Sequence, residues 1–219
     1  MKTKLVKIIA LILSMSLMIV MVGCKSDSPD KDYDNNDSQS NTHQPYNYED
    51  GKCYVNITVK NFGTIIVELY PESAPITVSN FISLVEQNFY SGTTFHRILS
   101  NFMIQGGAPN SSSPFKPTPI TGEFSSNGYD NPTEHTRGVI SMARTNDPNS
   151  ATSQFFICNA NSPHLNGLYA AFGCVVRGMD IVDAITEYGM QYTSSYLNGM
   201  IHDTDKQPVI EKMELVDKR

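Results

Sequence analysis

Between Phe95 and Gly107 the chain reads Phe-His-Arg-Ile-Leu-Ser-Asn-Phe-Met-Ile-Gln-Gly-Gly, gathering in one stretch residue types that could do chemistry. Arg97 is a permanent cation. Phe102 and Met103 are large apolar side chains a few residues on, and Gln105 is an amide that both donates and accepts. A guanidinium is not buried without partners, so a strand carrying one among hydrophobes is expected to open onto a surface pocket. The chemistry on offer is donation from a fixed charge beside an apolar socket.

Other routes to catalysis lack their residues. The sequence holds no GxSxG elbow, no HExxH, no GxxxxGK[ST] and no glycine-rich dinucleotide turn. His96, His135 and His164 are scattered without metal-ligand spacing, so neither a metal nor another cofactor is expected. No CxxC pair occurs. Cys158 lies in an apolar run and reads as a small core residue, while a bond between Cys53 and Cys174 is left open.

The elements that must position the stretch come from hydrophobic period. Val55-Asn56-Ile57-Thr58-Val59-Lys60 alternates strictly, Asn61-Phe62-Gly63 interrupts, and Thr64 to Leu69 resumes, which predicts an antiparallel hairpin. Pro75 suits a first helical turn, and Val78, Phe81, Ile82, Val85 and Phe89 follow at helical spacing to about Asn88. The strand region of Phe95 to Gln105 is next, then a segment from Ala108 to Asn131 dense in Pro, Ser, Gly and Asn. Loops of that length inside a domain are usually functional. Val139 to Ala143 and Gln154 to Cys158 read as short strands, Ala170 to Val176 as another, Gly178 to Ile185 as a short helix and Val209 to Val216 as a last strand. Many short strands with two helices predict a mostly β fold, sandwich or barrel.

The chain of 219 residues divides by composition. Residues 1–23 read as a signal peptide: Lys2, Lys4 and Lys7 precede an uncharged run from Ile8 to Val22, short of the roughly 18 to 20 residues of a spanning helix. The run ends in Met21-Val22-Gly23-Cys24, which resembles the lipobox of bacterial lipoproteins and implies an acylated Cys24. Residues 24–51 are Ser, Asp, Asn, Gln and Pro without apolar period and are expected to form a disordered linker reaching about 25 to 30 Å. Residues 52–219 form the folded domain. The expected location is the extracytoplasmic face of a cell membrane, held by lipid on Cys24. Removing residues 1–23 lowers Lys plus Arg from 16 to 13 against 22 acids, a net charge of −9, which argues against nucleic acid as a partner.

Phe95-His96-Arg97-Ile98, Phe102 to Gly107, Gly138 to Arg144, Ser153-Gln154-Phe155-Phe156-Ile157, and Leu165-Asn166-Gly167 through Phe172-Gly173 together resemble the ordered motifs of the cyclophilins, a class of peptidyl-prolyl cis/trans isomerases. The match runs from about Tyr54 to Val216. It implies a closed eight-stranded antiparallel β-barrel capped by two α-helices, with the groove on the barrel's outer face. By the same resemblance Arg97, Gln105 and Phe102 are the catalytic positions, and Met103, Ala143, Arg144, Gln154, Phe156, His164, Leu165 and Tyr169 bind the substrate. Proline-containing polypeptides are the implied partners, and a monomer is expected. His164 stands where many eukaryotic members carry Trp and Tyr169 where they carry His, so cyclosporin binding is expected to be weak.

Rotation about an X-Pro bond faces about 18 to 20 kcal/mol because amide resonance must be broken. A catalyst that favours the twisted amide needs no bond chemistry. A guanidinium at Arg97 would donate toward the proline nitrogen or its carbonyl, while Phe102, Met103, Phe156 and Leu165 grip the ring. Gln105, Gln154 and backbone near Ala143 would hold the flanking peptide. His96 is given a structural part, since no proton moves. A non-catalytic proline-peptide module or holdase on the same scaffold is the alternative, and retention of Arg97 argues against it. A solute-binding lipoprotein would need two α/β lobes, which the strand pattern does not supply.

Overall fold

Val55, Ile57 and Val59 point inward and Asn56 and Thr58 outward along β1 (Cys53–Val59), the period-two pattern of a strand with one wet face. β1 pairs antiparallel with β2 (Gly63–Leu69) in the register Val55↔Val67 and Ile57↔Ile65. The turn between them uses Asn61 at φ 66° and Gly63 at φ 123°. The computed structural model describes residues 53–110, 115–193 and 198–216. The expected signal peptide, the acylated Cys24 and the linker lie outside the described residues, as do 111–114 of the long loop. Among the described residues no helix is long and apolar enough to cross a membrane.

Helix α1 (Pro75–Glu86) begins at the expected proline and buries Val78, Phe81, Leu84 and Val85. Phe81 meets the rings of Phe172 at 5.0 Å, Tyr90 at 5.2 Å and Phe155 at 5.7 Å, so this helix closes one end of the core. Its N-terminal amides are satisfied from far along the chain: the buried Glu123 carboxylate accepts from Ile76 N at 3.0 Å and Thr77 N at 2.7 Å. Helix α2 (Met179–Met190) runs one turn beyond the expected stop near Ile185. Gly189 lies inside the added turn, where a Cβ would lie 2.4 Å from Ile98 Cδ1, so this glycine lets the helix approach β3 (Phe95–Leu99) closely.

The remaining strands are β4 (Met103–Gly106), β5 (Val139–Met142), β6 (Phe155–Cys158), β7 (Ala171–Arg177) and β8 (Ile210–Val216). All pairings are antiparallel, in the order β3-β4-β6-β5-β7-β2-β1-β8. The expected closed barrel is corrected here: the sheet is an open half-barrel whose end strands, β3 and β8, share no continuous ladder. Among the described residues, the bridge Thr94↔Val209 and bonds such as Phe95 N to Pro208 O (2.9 Å) and Ile210 N to Thr93 O (2.8 Å) cross the seam. Pro208 has no N–H to return. The rest of the β3 edge is taken by another segment, through Ile98 N to Gly199 O (2.8 Å) and Ile201 N to His96 O (2.9 Å).

Alternation along β4 and β6 divides their apolar runs between two faces. Ile104, Phe155 and Ile157 enter the main core with Val55, Ile57 and Phe172, whereas Met103, Phe156 and Cys158 form a second cluster with Leu165. Phe102, read as a strand residue, instead lies in the turn between β3 and β4. Cys158 is buried as expected, and Cys53 is likewise a buried free thiol, so it is not bonded to Cys174. Burial raises the Cys53 thiol to about 11 and the Cys158 thiol to about 12.

Candidate active site

Arg97 faces Gln105 directly across the β3–β4 ladder. Its Nη1 donates to Gln105 Oε1 at 3.1 Å, and because arginine only donates, this bond orients the amide. The Gln105 NH2 group then donates to Gln154 Oε1 at 3.0 Å. The other edge of the guanidinium is held by a residue that the sequence reading missed. Arg97 Nε donates to Asn198 O at 2.9 Å and Nη2 to Asn198 Oδ1 at 3.3 Å. Asn198 adopts φ 48°, and Asn-Gly at 198–199 was legible as a turn but not as a partner 101 residues from Arg97. Three of the five N–H groups are engaged, leaving two for a ligand.

Partial burial lowers the Arg97 pKa below the ordinary guanidinium value, with Tyr169 opposing, and the side chain remains a cation at neutral pH. His96, its neighbour, is also lowered, first by burial, so the imidazole is neutral there. Among the described residues neither Arg97 nor Arg144 has a carboxylate within 4.0 Å.

The second apolar cluster stands where the sequence placed the socket. Met103, Phe156 and Leu165 are buried in it, and Phe102, Leu99, Ala143 and Tyr169 are half-buried around it. Arg97 Cζ lies 6.0 Å from the Phe102 ring centroid, so the cation and the socket share a wall. His164, exposed, tilts against Phe102 at 5.3 Å, and Tyr169 meets Phe156 edge-on at 5.8 Å. The Ala143 N–H already donates to Gln154 O at 2.9 Å, which leaves the carbonyl of that residue to serve a peptide. Arg144 lies past Tyr169, its Cζ 4.7 Å from that ring and 5.0 Å from the ring of Phe124. The structure thus groups all eleven sequence-derived positions on one face, with Arg144 at its end.

His135, read only as a scattered histidine, supports the socket from behind. Its ring stacks on Phe156 at 6.0 Å and 18°. His135 N donates to Asn166 Oδ1 at 2.8 Å, which fixes that amide's orientation and makes His135 Nδ1 the donor in its 3.2 Å contact with the same oxygen. Nε2 is then the acceptor, and the buried Ser141 hydroxyl donates to it at 3.1 Å. Burial pushes the His135 pKa down to about 4.

A chain built this way can seat a small apolar ring beside a fixed donor, without a nucleophile. Comparison with known proteins agrees. The family model described as cyclophilin type peptidyl-prolyl cis-trans isomerase matches residues 54–214. A peptidyl-prolyl cis-trans isomerase of Acinetobacter baylyi is 49% identical over 156 residues, covering 68% of this chain and 78% of that protein. Peptidyl-prolyl cis-trans isomerase B of Escherichia coli is 39% identical over 160 residues, covering 68% and 92%. Among solved structures, a cyclophilin-type isomerase of Cryptosporidium parvum superposes with a TM-score of 0.63 at 25% identity, covering 77% of this chain and 99% of that one. The same protein in the presence of the dipeptide Ala-Pro gives 0.61 at 26% identity, covering 75% and 99%. With the match extending over nearly the whole described domain, the chain belongs to the cyclophilin-type peptidyl-prolyl cis-trans isomerases.

Proposed function

We propose that this chain accelerates cis/trans isomerisation of X-Pro bonds in exported polypeptides, with Arg97 stabilising the twisted amide while the socket holds the proline ring. The observation that carries the reading is the fixed guanidinium 6.0 Å from Phe102 with two N–H groups uncommitted. As resonance breaks, the proline nitrogen regains a lone pair and becomes an acceptor. A donor already in place pays no reorganisation at that moment and contributes about 3 to 4 kcal/mol. Apolar contact with Phe102, Met103, Phe156 and Leu165 keeps one side of the bond still, and Gln105 and Gln154 orient the flanking peptide while the other side turns. This is selective binding of the twisted state, and about 6 kcal/mol in all gives roughly ten-thousandfold acceleration.

The reading places the domain outside the cytoplasmic membrane as a monomer, tethered by acyl chains on Cys24 through residues 24–51. Supporting it are the apolar run, the small residue before Cys24 and the acidic, Pro-containing linker. With His164 in place of a large indole, cyclosporin binds weakly on this reading, and a nanomolar Kd would overturn that part. Intact mass after detergent extraction tests the anchor: an unmodified Cys24 sinks it. A protease-coupled assay on the domain from Lys52 tests the reaction. No rate above background favours a binding module, and an unchanged rate in Arg97→Ala removes Arg97 from the mechanism.

A further inference from the structure

We infer that Arg144 forms a subsite for an acidic side chain of the substrate, so that this isomerase favours X-Pro bonds with Glu or Asp within about three residues of the proline. The inference rests on the isomerase reading and adds to it a substrate class.

Arg144 is held more firmly than a surface arginine. Its guanidinium carbon lies over the rings of both Tyr169 and Phe124, at 4.7 and 5.0 Å, and Phe124 is itself buried. Nε and Nη2 both donate to Leu168 O, at 3.1 and 2.8 Å, and Nη1 donates to Thr145 O at 2.8 Å. Every one of these acceptors is a neutral carbonyl. Among the described residues no carboxylate lies within 4.0 Å of the guanidinium. Asp147, three residues on, turns its Oδ1 to Asn149 N at 2.9 Å instead. The positive charge is therefore preorganised, uncompensated and partly open to solvent, with two N–H groups uncommitted.

Position makes this a matter of substrate choice. The Phe156 ring is 5.8 Å from Tyr169, which is 4.7 Å from Arg144 Cζ, so the charge stands no more than about 11 Å from the socket floor. That is the span of about three extended residues. A carboxylate arriving there meets a positioned donor pair in a chain whose overall charge is −6, whereas a neutral side chain gains only the stacking surface.

The test uses Pro peptides in which Glu or its neutral isostere Gln occupies each position from three before to three after the proline. At one of these positions Glu is expected to exceed Gln about fivefold in kcat/KM at low salt, and the ratio falls toward one as salt screens the charge. Arg144→Gln brings the ratio to one, and Arg144→Glu reverses it in favour of Lys over Gln. Each ratio is internal to one protein, so a general loss of activity does not disturb it. Equal kcat/KM for Glu and Gln at every position in the unsubstituted chain overturns the subsite, as does a Glu preference that survives Arg144→Gln. Titration of the same peptides separates this from the parent reading: binding with a Glu preference but no turnover sinks the isomerase reading and keeps the subsite, whereas no binding of any peptide sinks both.

Discussion

Asn198 grips one edge of the Arg97 guanidinium with two acceptors at once, its backbone carbonyl at 2.9 Å and its side-chain oxygen at 3.3 Å, from 101 residues away in the chain. The left-handed backbone at φ 48° turns both acceptors toward the same group. Asn198→Gly keeps the carbonyl and tolerates the backbone while removing Oδ1. The expected result is a kcat/KM lower by about three- to tenfold, through a looser donor, with stability changed by less than about 1 kcal/mol. Asn198→Ala should lose the same activity and a further 1 kcal/mol or so, because alanine resists that conformation. Peptide turnover beside urea denaturation separates the two effects, and full activity in the glycine variant would dismiss Asn198 as a positioning residue.

Charge alone should not replace Arg97. Lysine offers a point charge on a flexible stem and cannot span Gln105 on one side and Asn198 on the other. Arg97→Lys is expected to reduce kcat/KM by about a hundredfold, close to the loss in Arg97→Ala, with both variants folded. A lysine variant within fivefold of the parent would mean that field strength matters more than the fixed fork.

Much of this arrangement was legible in the sequence because local pattern and site chemistry fall in the same segments. Alternation marked β1 and β2, Pro75 marked the start of α1, and the ordered motifs pointed to eleven positions that the fold brings to one face. What escaped depends on long-range geometry. Asn198 and His135 reach the site from loops, and one-dimensional spacing does not say which strand edge a loop will cover. Closure of the sheet was likewise overdrawn, since Pro208 and the residues around Gly199 divide the β3 edge between them. Helix α2 was ended too early, near Ile185, because the reason position 189 is glycine is Ile98, a neighbour in space alone.

Glu123 ties the long loop to the core by capping α1 from 46 residues away, at 3.0 and 2.7 Å to two backbone amides. Glu123 as a whole is 1% exposed, so water offers no substitute partner. Glu123→Gln preserves shape but turns an NH2 group toward one of those N–H donors, leaving two donors face to face. About 2 kcal/mol of stability should be lost, read as a lower denaturation midpoint at unchanged slope. Phe124, next in sequence, would shift with it, so a change in the Glu-over-Gln peptide ratio should accompany the loss.

His135 should give the fold a distinct acid sensitivity. An ordinary imidazole titrates near 6.5, but burial behind Phe156 holds this one at about 4, so between those values the unfolded chain takes a proton that the folded chain refuses. Stability from this residue is complete above about pH 6.5 and declines as pH falls toward 4, by on the order of 3 kcal/mol in all. His96, also lowered by burial, adds to the decline in the same direction. Replacing His135 with Gln removes the larger share, so the difference in unfolding free energy between parent and variant should shrink steadily from pH 7 to pH 4. The exchange also leaves Phe156 without its stacked support and Ser141 without its acceptor, so turnover should fall a few-fold at pH 7. A free-energy difference that stays flat across that range would show that the folded protein takes up the His135 proton as readily as the unfolded chain, so that burial does not hold this ring neutral.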